Sequence, residues 1–187
     1  VLGHRAIWRK VSEGPAPVAL VCEDDLRLLP ACGDFLRSVA GHEAAFAHAL
    51  IKLDSPARAG KVVGRLAGVD LVLTSRLPGC TTGYLLGRDA ATTLLAQTRK
   101  VSRPIDMDLK HYWEHHVPIL LVRPQLVSVR PDGGSSIEFL RAPTKPLTPW
   151  RRLSRNLRYQ WAMSLGRLRS PLYVDRIPVL REMREML

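Results

Sequence analysis

Val18-Ala19-Leu20-Val21-Cys22-Glu23-Asp24-Asp25 is an apolar run of strand length that ends in three adjacent carboxylates. Pro15 and Pro17 bound it upstream, and its length suits a buried strand better than a helix. Adjacent like charges repel, and burying them unpaired costs several kcal/mol per ion. The acids therefore belong at a solvent-facing strand end or around a divalent cation. Carboxylate oxygens are the ligands that Mg²⁺ and Mn²⁺ prefer. In open α/β sheets, ligands gather just beyond the carboxyl ends of strands. In an extended chain Glu23 and Asp25 point one way and Asp24 the other, so two carboxylates face a common site. A solvated turn or helix start is the plainer alternative.

Around this run, strand and helix patterns alternate. Leu2 to Val11 reads as a helix, stopped by Glu13-Gly14-Pro15-Ala16-Pro17. Asp34 is placed to cap a helix from Phe35 through Val39. Glu43 to Lys52 continues as helix or ends as a strand over Ala49 to Leu53. Val69 to Thr74, Tyr84 to Leu86, Ile119 to Val122 and Val127 to Val129 read as strands. Arg88-Asp89 opens a helix through Ala90, Ala91, Leu94 and Leu95, and Asp106 to His116 forms another. Gly79-Cys80-Thr81-Thr82-Gly83 and Asp132-Gly133-Gly134-Ser135-Ser136 are turn-rich loops. The alternation predicts an α/β layer architecture.

At 187 residues the chain can bury one sizeable core and carry a tail besides. No run approaches the roughly 20 apolar residues of a membrane span, and Val1 to Lys10 lacks the apolar stretch of a signal sequence. Cys22, Cys32 and Cys80 are odd in number and widely spaced, which suggests buried thiols in a reducing compartment. The expected location is cytoplasmic.

The net charge of +11 is uneven. Residues 141–187 hold 11 Arg or Lys against 3 acids, a balance of +8, which leaves +3 for residues 1–140. The basicity is thus an appendage, and a nucleic-acid-binding core is disfavoured. The expected division is a globular domain over 1–140 and a Pro-containing linker with a basic helical C-terminal tail over 141–187. In that tail Trp150, Leu153, Leu157, Trp161 and Leu165 fall at helical spacing on one face, with Arg151, Arg152, Arg155 and Arg158 over much of the rest. Gly166 or Pro171 is expected to end the helix. Such a helix can lie in an anionic membrane interface or pack its stripe on the domain, and both readings stay open.

Several segments in order resemble glycosyltransferase family 25, the lipooligosaccharide glycosyltransferases of bacteria. They are Leu2-Gly3-His4 with Trp8, then Val21-Cys22-Glu23-Asp24-Asp25-Leu26, then Thr81-Thr82-Gly83-Tyr84-Leu85-Leu86-Gly87-Arg88 running into Ala90-Ala91 and Leu94-Leu95. Pro104-Ile105-Asp106 and Arg123-Pro124-Gln125-Leu126-Val127 follow. The likeness covers roughly Val1 to Val129, with Gly3 standing where the family usually has Ser. Family members carry residues ahead of the first motif, including a strand of the nucleotide-binding half, so the resemblance implies that 1–140 is an amino-terminally incomplete domain.

The resemblance implies a GT-A-like nucleotide-sugar-binding mixed sheet flanked by helices. It implies inverting, metal-dependent transfer from a nucleotide sugar, expected to be a UDP-sugar, to a saccharide on a lipid, at the inner face of the cytoplasmic membrane. Asp25 with Glu23 would hold Mn²⁺ or Mg²⁺ against the leaving diphosphate. His4, Glu23, Asp24, Thr81, Thr82, Gly83 and Tyr84 are the expected donor-binding residues. Asp106, with Asp108 second, is the candidate base for the acceptor hydroxyl, and helix capping is the competing use of Asp106. His111, Glu114, His115 and His116 suggest a further metal ligand, His111 and His115 sharing a helix face at i,i+4. The alternative function is an inactive relative that binds only a membrane or polyanion through its tail.

Overall fold

The computed structural model describes residues 2–54, 59–98, 103–130 and 149–169. The expected loop at 132–136, the linker as far as residue 148 and the tail beyond 169 lie outside the described residues.

The chain forms a mixed six-stranded sheet flanked by helices on both faces. Its strands are β1 (Val18–Cys22), β3 (Leu50–Lys52), β4 (Lys61–Leu66), β5 (Val69–Leu73), β6 (Gly83–Gly87) and β7 (Ile119–Arg123). They lie in the order β1-β6-β3-β7-β5-β4. The β3 and β7 neighbours are parallel, and every other neighbouring pair is antiparallel. Two short strands, β2 (Leu26–Leu28) and β8 (Val127–Val129), pair in a separate small sheet.

Strand alternation sorts the core into two layers. Ile51, Leu71, Leu73, Leu85, Leu120 and Val122 face α2 (Cys32–Ala40) and α3 (Glu43–Phe46), packing on Phe35, Val39 and Phe46. Leu50, Val72, Tyr84, Leu86, Ile119 and Leu121 face α1 (Leu2–Glu13), α4 (Arg88–Gln97), α5 (Ile105–Lys110) and α6 (Tyr112–His115), packing on Trp8, Ala91, Leu94 and Leu109. Each fully buried Leu contributes about 1.5–3 kcal/mol.

Three expectations about these elements change. The run Val18–Cys22 is a strand, but it is the sheet's edge rather than its buried centre: only Val21 is buried, and Leu20 is 40 % exposed. Asp34 lies in the first turn of α2 instead of capping it, and pairs with Arg37. The single helix expected over 106–116 breaks at His111, giving α5 and α6. Helix α7 (Pro149–Arg169) runs through Gly166, which leaves Pro171, outside the described residues, as the other expected end. A Cβ at Gly166 would lie 2.1 Å from the Trp113 ring. The missing side chain lets α6 and α7 touch.

Candidate functional site

Strands β1, β3 and β7 run in one direction and β6 runs against them. The carboxyl ends of β1 and β3 therefore share one end of the sheet with the amino end of β6. Glu23 directly follows β1, Asp54 follows β3 after Leu53, and Thr81-Thr82 precede β6. Long-range hydrogen bonds join them. Glu23 N–H donates to the Thr82 carbonyl (2.8 Å), and the Thr81 hydroxyl donates to Glu23 Oε1 (3.2 Å). Thr82 N–H donates to Asp54 Oδ2 (3.0 Å).

Beneath this rim lies a buried ion pair. Lys52 Nζ stands 3.4 Å from Asp54 Oδ1, both side chains 3 % exposed. Lys52 also donates to the Cys80 carbonyl. Cys80 has φ of 74°, a left-handed conformation uncommon outside glycine and costing on the order of 1–3 kcal/mol. The lysine thus holds a strained loop in place.

The three acids after β1 do not alternate as in an extended chain. Leu26 N–H donates to the Glu23 carbonyl (3.3 Å), closing a turn over Glu23–Leu26 that sends β2 into the small sheet. The turn keeps the carboxylates close enough to interact. Burial, then the negative charges of Asp25, Asp54 and Asp24, push the Glu23 carboxyl above its usual range, while the Thr81 hydroxyl draws it back. Asp25 Oδ1 is buried without a hydrogen-bond partner.

A second chain of contacts reaches Glu23 from α1. The indole N–H of Trp8 donates to the Tyr84 hydroxyl (3.0 Å), which lies 2.9 Å from His4 Nδ1. The hydrogen bond between Tyr84 and His4 Nδ1 leaves the other ring nitrogen, Nε2, 4.0 Å from Glu23 Oε1. Burial lowers the His4 pKa and raises that of Tyr84, which keeps both neutral. His4 and Tyr84, expected as donor ligands, thus orient a neutral imidazole toward Glu23.

Gly83 pairs with Cys22, and a Cβ on it would lie 2.6 Å from Leu26 Cδ1. Its lack of a side chain serves the packing of the small sheet. Asp106 is the second residue of α5 and does not cap it, since the N-cap position is Pro104. Its Oδ2 lies 3.4 Å from where a Cβ on Gly79 would be. Asp106 therefore borders the same Gly79–Thr82 loop whose other end holds Glu23. Asp108 is buried and paired with Arg103 (2.8 Å), which also binds Glu114, a structural use of both acids.

The sequence pattern Ala49-Leu50-Ile51-Lys52-Leu53-Asp54 repeats the form of the β1 run, an apolar strand stopped by a carboxylate. That signal pointed to Asp54, which the sequence reading passed over. Neither a family model nor a curated protein matches the chain.

Among the described residues no group of three or more His, Cys, Asp or Glu is gathered closely enough to hold a metal ion. Magnesium sites of one or two carboxylates completed by substrate phosphates need no such group. Asp25, with its unpartnered buried oxygen, and Glu23, under the field of three acids, suit that kind of site in their donor chemistry.

His111 and His115, weighed as a further metal ligand set against a plain exposed helix face, are buried and engaged within the fold. The break at His111 removes the common helix face, and His111 Nδ1 lies 2.7 Å from the Met107 carbonyl. His115 is buried, with Nε2 on the Leu109 carbonyl (3.2 Å) and Nδ1 accepting from Val117 N–H (3.1 Å). Burial lowers its pKa from 6.5 to about 4. The unfolded chain then takes up this proton at higher pH than the folded one. The associated stability is complete above pH 6.5 and is lost as pH falls toward 4, by about 3 kcal/mol. Urea unfolding of wild type and His115→Gln at both ends of this window tests it. Wild type is expected to lose more stability on acidification than the variant, and equal losses would refute the assignment.

Proposed function

We propose that the chain is a glycosyltransferase with a GT-A-like donor site, passing a sugar from a nucleotide diphosphate carrier to a saccharide hydroxyl with inversion. The observation that carries this reading is the acidic rim: Glu23, Asp24, Asp25 and Asp54 interact at one end of a mixed sheet, tied to Thr81 and Thr82, with Asp106 against Gly79 at the other end of the same loop. Ligands of open α/β sheets sit at such strand ends. A UDP-sugar donor and a lipid-borne saccharide acceptor belong to the same proposal, on the resemblance described above.

In this reading Asp25 and Glu23 hold Mn²⁺ or Mg²⁺, which when bound offsets the negative charge that develops on the leaving diphosphate. The Thr81–Thr82 segment fixes Glu23 through its hydroxyl and carbonyl, and the neutral His4 imidazole limits how that carboxylate turns. Asp106 accepts the proton from the acceptor hydroxyl as its oxygen bonds to the anomeric carbon and the bond to the diphosphate breaks.

Calorimetric titration of the intact chain with UDP and Mn²⁺ tests the donor site. Wild type is expected to bind UDP only with the cation. Asp25→Ala is expected to weaken that binding about tenfold or more, an ionic contact of more than about 1.4 kcal/mol, with its unfolding midpoint unchanged. Failure of wild type to bind UDP would leave the second reading, an inactive relative acting through its basic helix. The exposed apolar stripe on α7 supports the membrane contact in that alternative and bears on neither activity nor its loss.

A further inference from the structure

Helix α7 turns four of its large apolar side chains away from the domain. Trp150 is 79 % exposed, Leu157 54 %, Trp161 74 % and Leu168 83 %. Their spacing keeps all four within an arc of about 40° at 3.6 residues per turn. The opposite side does the docking: Met163 is buried, Gly166 receives Trp113, and Tyr159 meets the His111 ring edge-on at 6.5 Å. Of the two readings left open for this stripe, packing on the domain does not hold for these four residues, which face outward.

The charge of the helix selects what covers this face. Residues 149–169 contain six arginines and no Asp or Glu. Arg158, next to Leu157, is exposed. A second copy would bring six more arginines against these six, which is repulsive. A duplex nucleic acid offers phosphates but nothing to receive two indoles and two leucines. An anionic bilayer offers both, with phosphates for guanidinium groups and an acyl boundary for Trp and Leu. No described helix is long and apolar enough to cross a membrane, so contact would be in the plane of the interface.

We propose that α7 is an in-plane anchor for an anionic phospholipid surface, inserting Trp150, Leu157, Trp161 and Leu168. The proposal is independent of the transfer reading, since it concerns lipid binding without donor or acceptor.

Co-sedimentation of the intact chain tests it, using vesicles of phosphatidylglycerol mixed with phosphatidylcholine and vesicles of phosphatidylcholine alone. Binding is expected only to the anionic vesicles, with a blue shift of tryptophan emission and weakening by salt. The double variant Trp150→Ser/Trp161→Ser is expected to bind about tenfold more weakly, with an unchanged unfolding midpoint. Arg158→Glu is expected to lose affinity about tenfold as well. Equal binding to both vesicle types, or no binding to anionic vesicles at low salt, overturns the proposal. So does undiminished binding by the double tryptophan variant. A concentration-dependent dimer abolished by the tryptophan changes would assign the face to a second copy instead, and tighter binding to duplex DNA than to vesicles would assign it to nucleic acid.

Discussion

Replacing Asp54 with Ala is expected to lower the stability of the fold by about 3–5 kcal/mol, the cost of leaving a buried ammonium without its counter-charge. The Lys52 and Asp54 side chains are each 3 % exposed, so water cannot take the carboxylate's place. Thr82 N–H also loses its acceptor. Against a typical total of about 5–15 kcal/mol, a loss of this size moves the urea midpoint far and brings the variant near unfolding at ambient temperature. The double variant Lys52→Met/Asp54→Leu separates charge from packing. Replacing both ions by apolar groups of similar volume is often neutral, so the charge part of the loss should be recovered, while Thr82 N–H and the Cys80 carbonyl still lack their partners. A single-variant loss below about 1 kcal/mol would match an exposed pair and refute the description of this pair as buried.

The second large effect falls on turnover. Asp106→Asn is expected to reduce transfer about 10²–10⁴-fold, the usual contribution of a positioned base, while UDP affinity stays unchanged. Asparagine keeps the size and loses the basic oxygen. Asp108→Asn makes the contrast: it removes the partner of Arg103 and is expected to lower stability more than turnover. A variant at Asp106 that retains full turnover would assign that carboxylate to the surface of α5 alone.

Much of the sheet was legible because its strands are apolar on both faces. Leu85, Leu86, Leu120 and Leu121 are all buried, and continuous apolar runs carry that signal. Strand β4 escaped notice because it is an edge with exposed Lys61, Val62 and Arg65 and a register shift between Val62 and Gly64. The break between α5 and α6 was hidden because the residues on either side of His111 keep helical composition. Glu23 and Asp25 stood out as adjacent charges after a strand. Asp54 and Lys52 did not, because their importance comes from burial and from a loop far along the chain. The relay through Trp8, Tyr84 and His4 likewise rests on tertiary distances. The outward face of α7 was visible as a stripe, but its direction depended on Gly166 and Trp113.

The bonds that tie the acidic rim to the loop before β6 span long stretches of chain: Glu23 to Thr81 and Thr82, Lys52 to Cys80, Asp54 to Thr82. Chains fold more slowly when distant segments must meet, because the entropy of joining them is spent before the contacts reward it. Local hairpins such as β4 with β5 can form early, while the carboxylates wait for β6 to settle between β1 and β3. A chain with most of its secondary structure in place would still lack the closed rim. If the proposed donor site is correct, recovery of UDP binding should therefore trail recovery of helical signal during refolding.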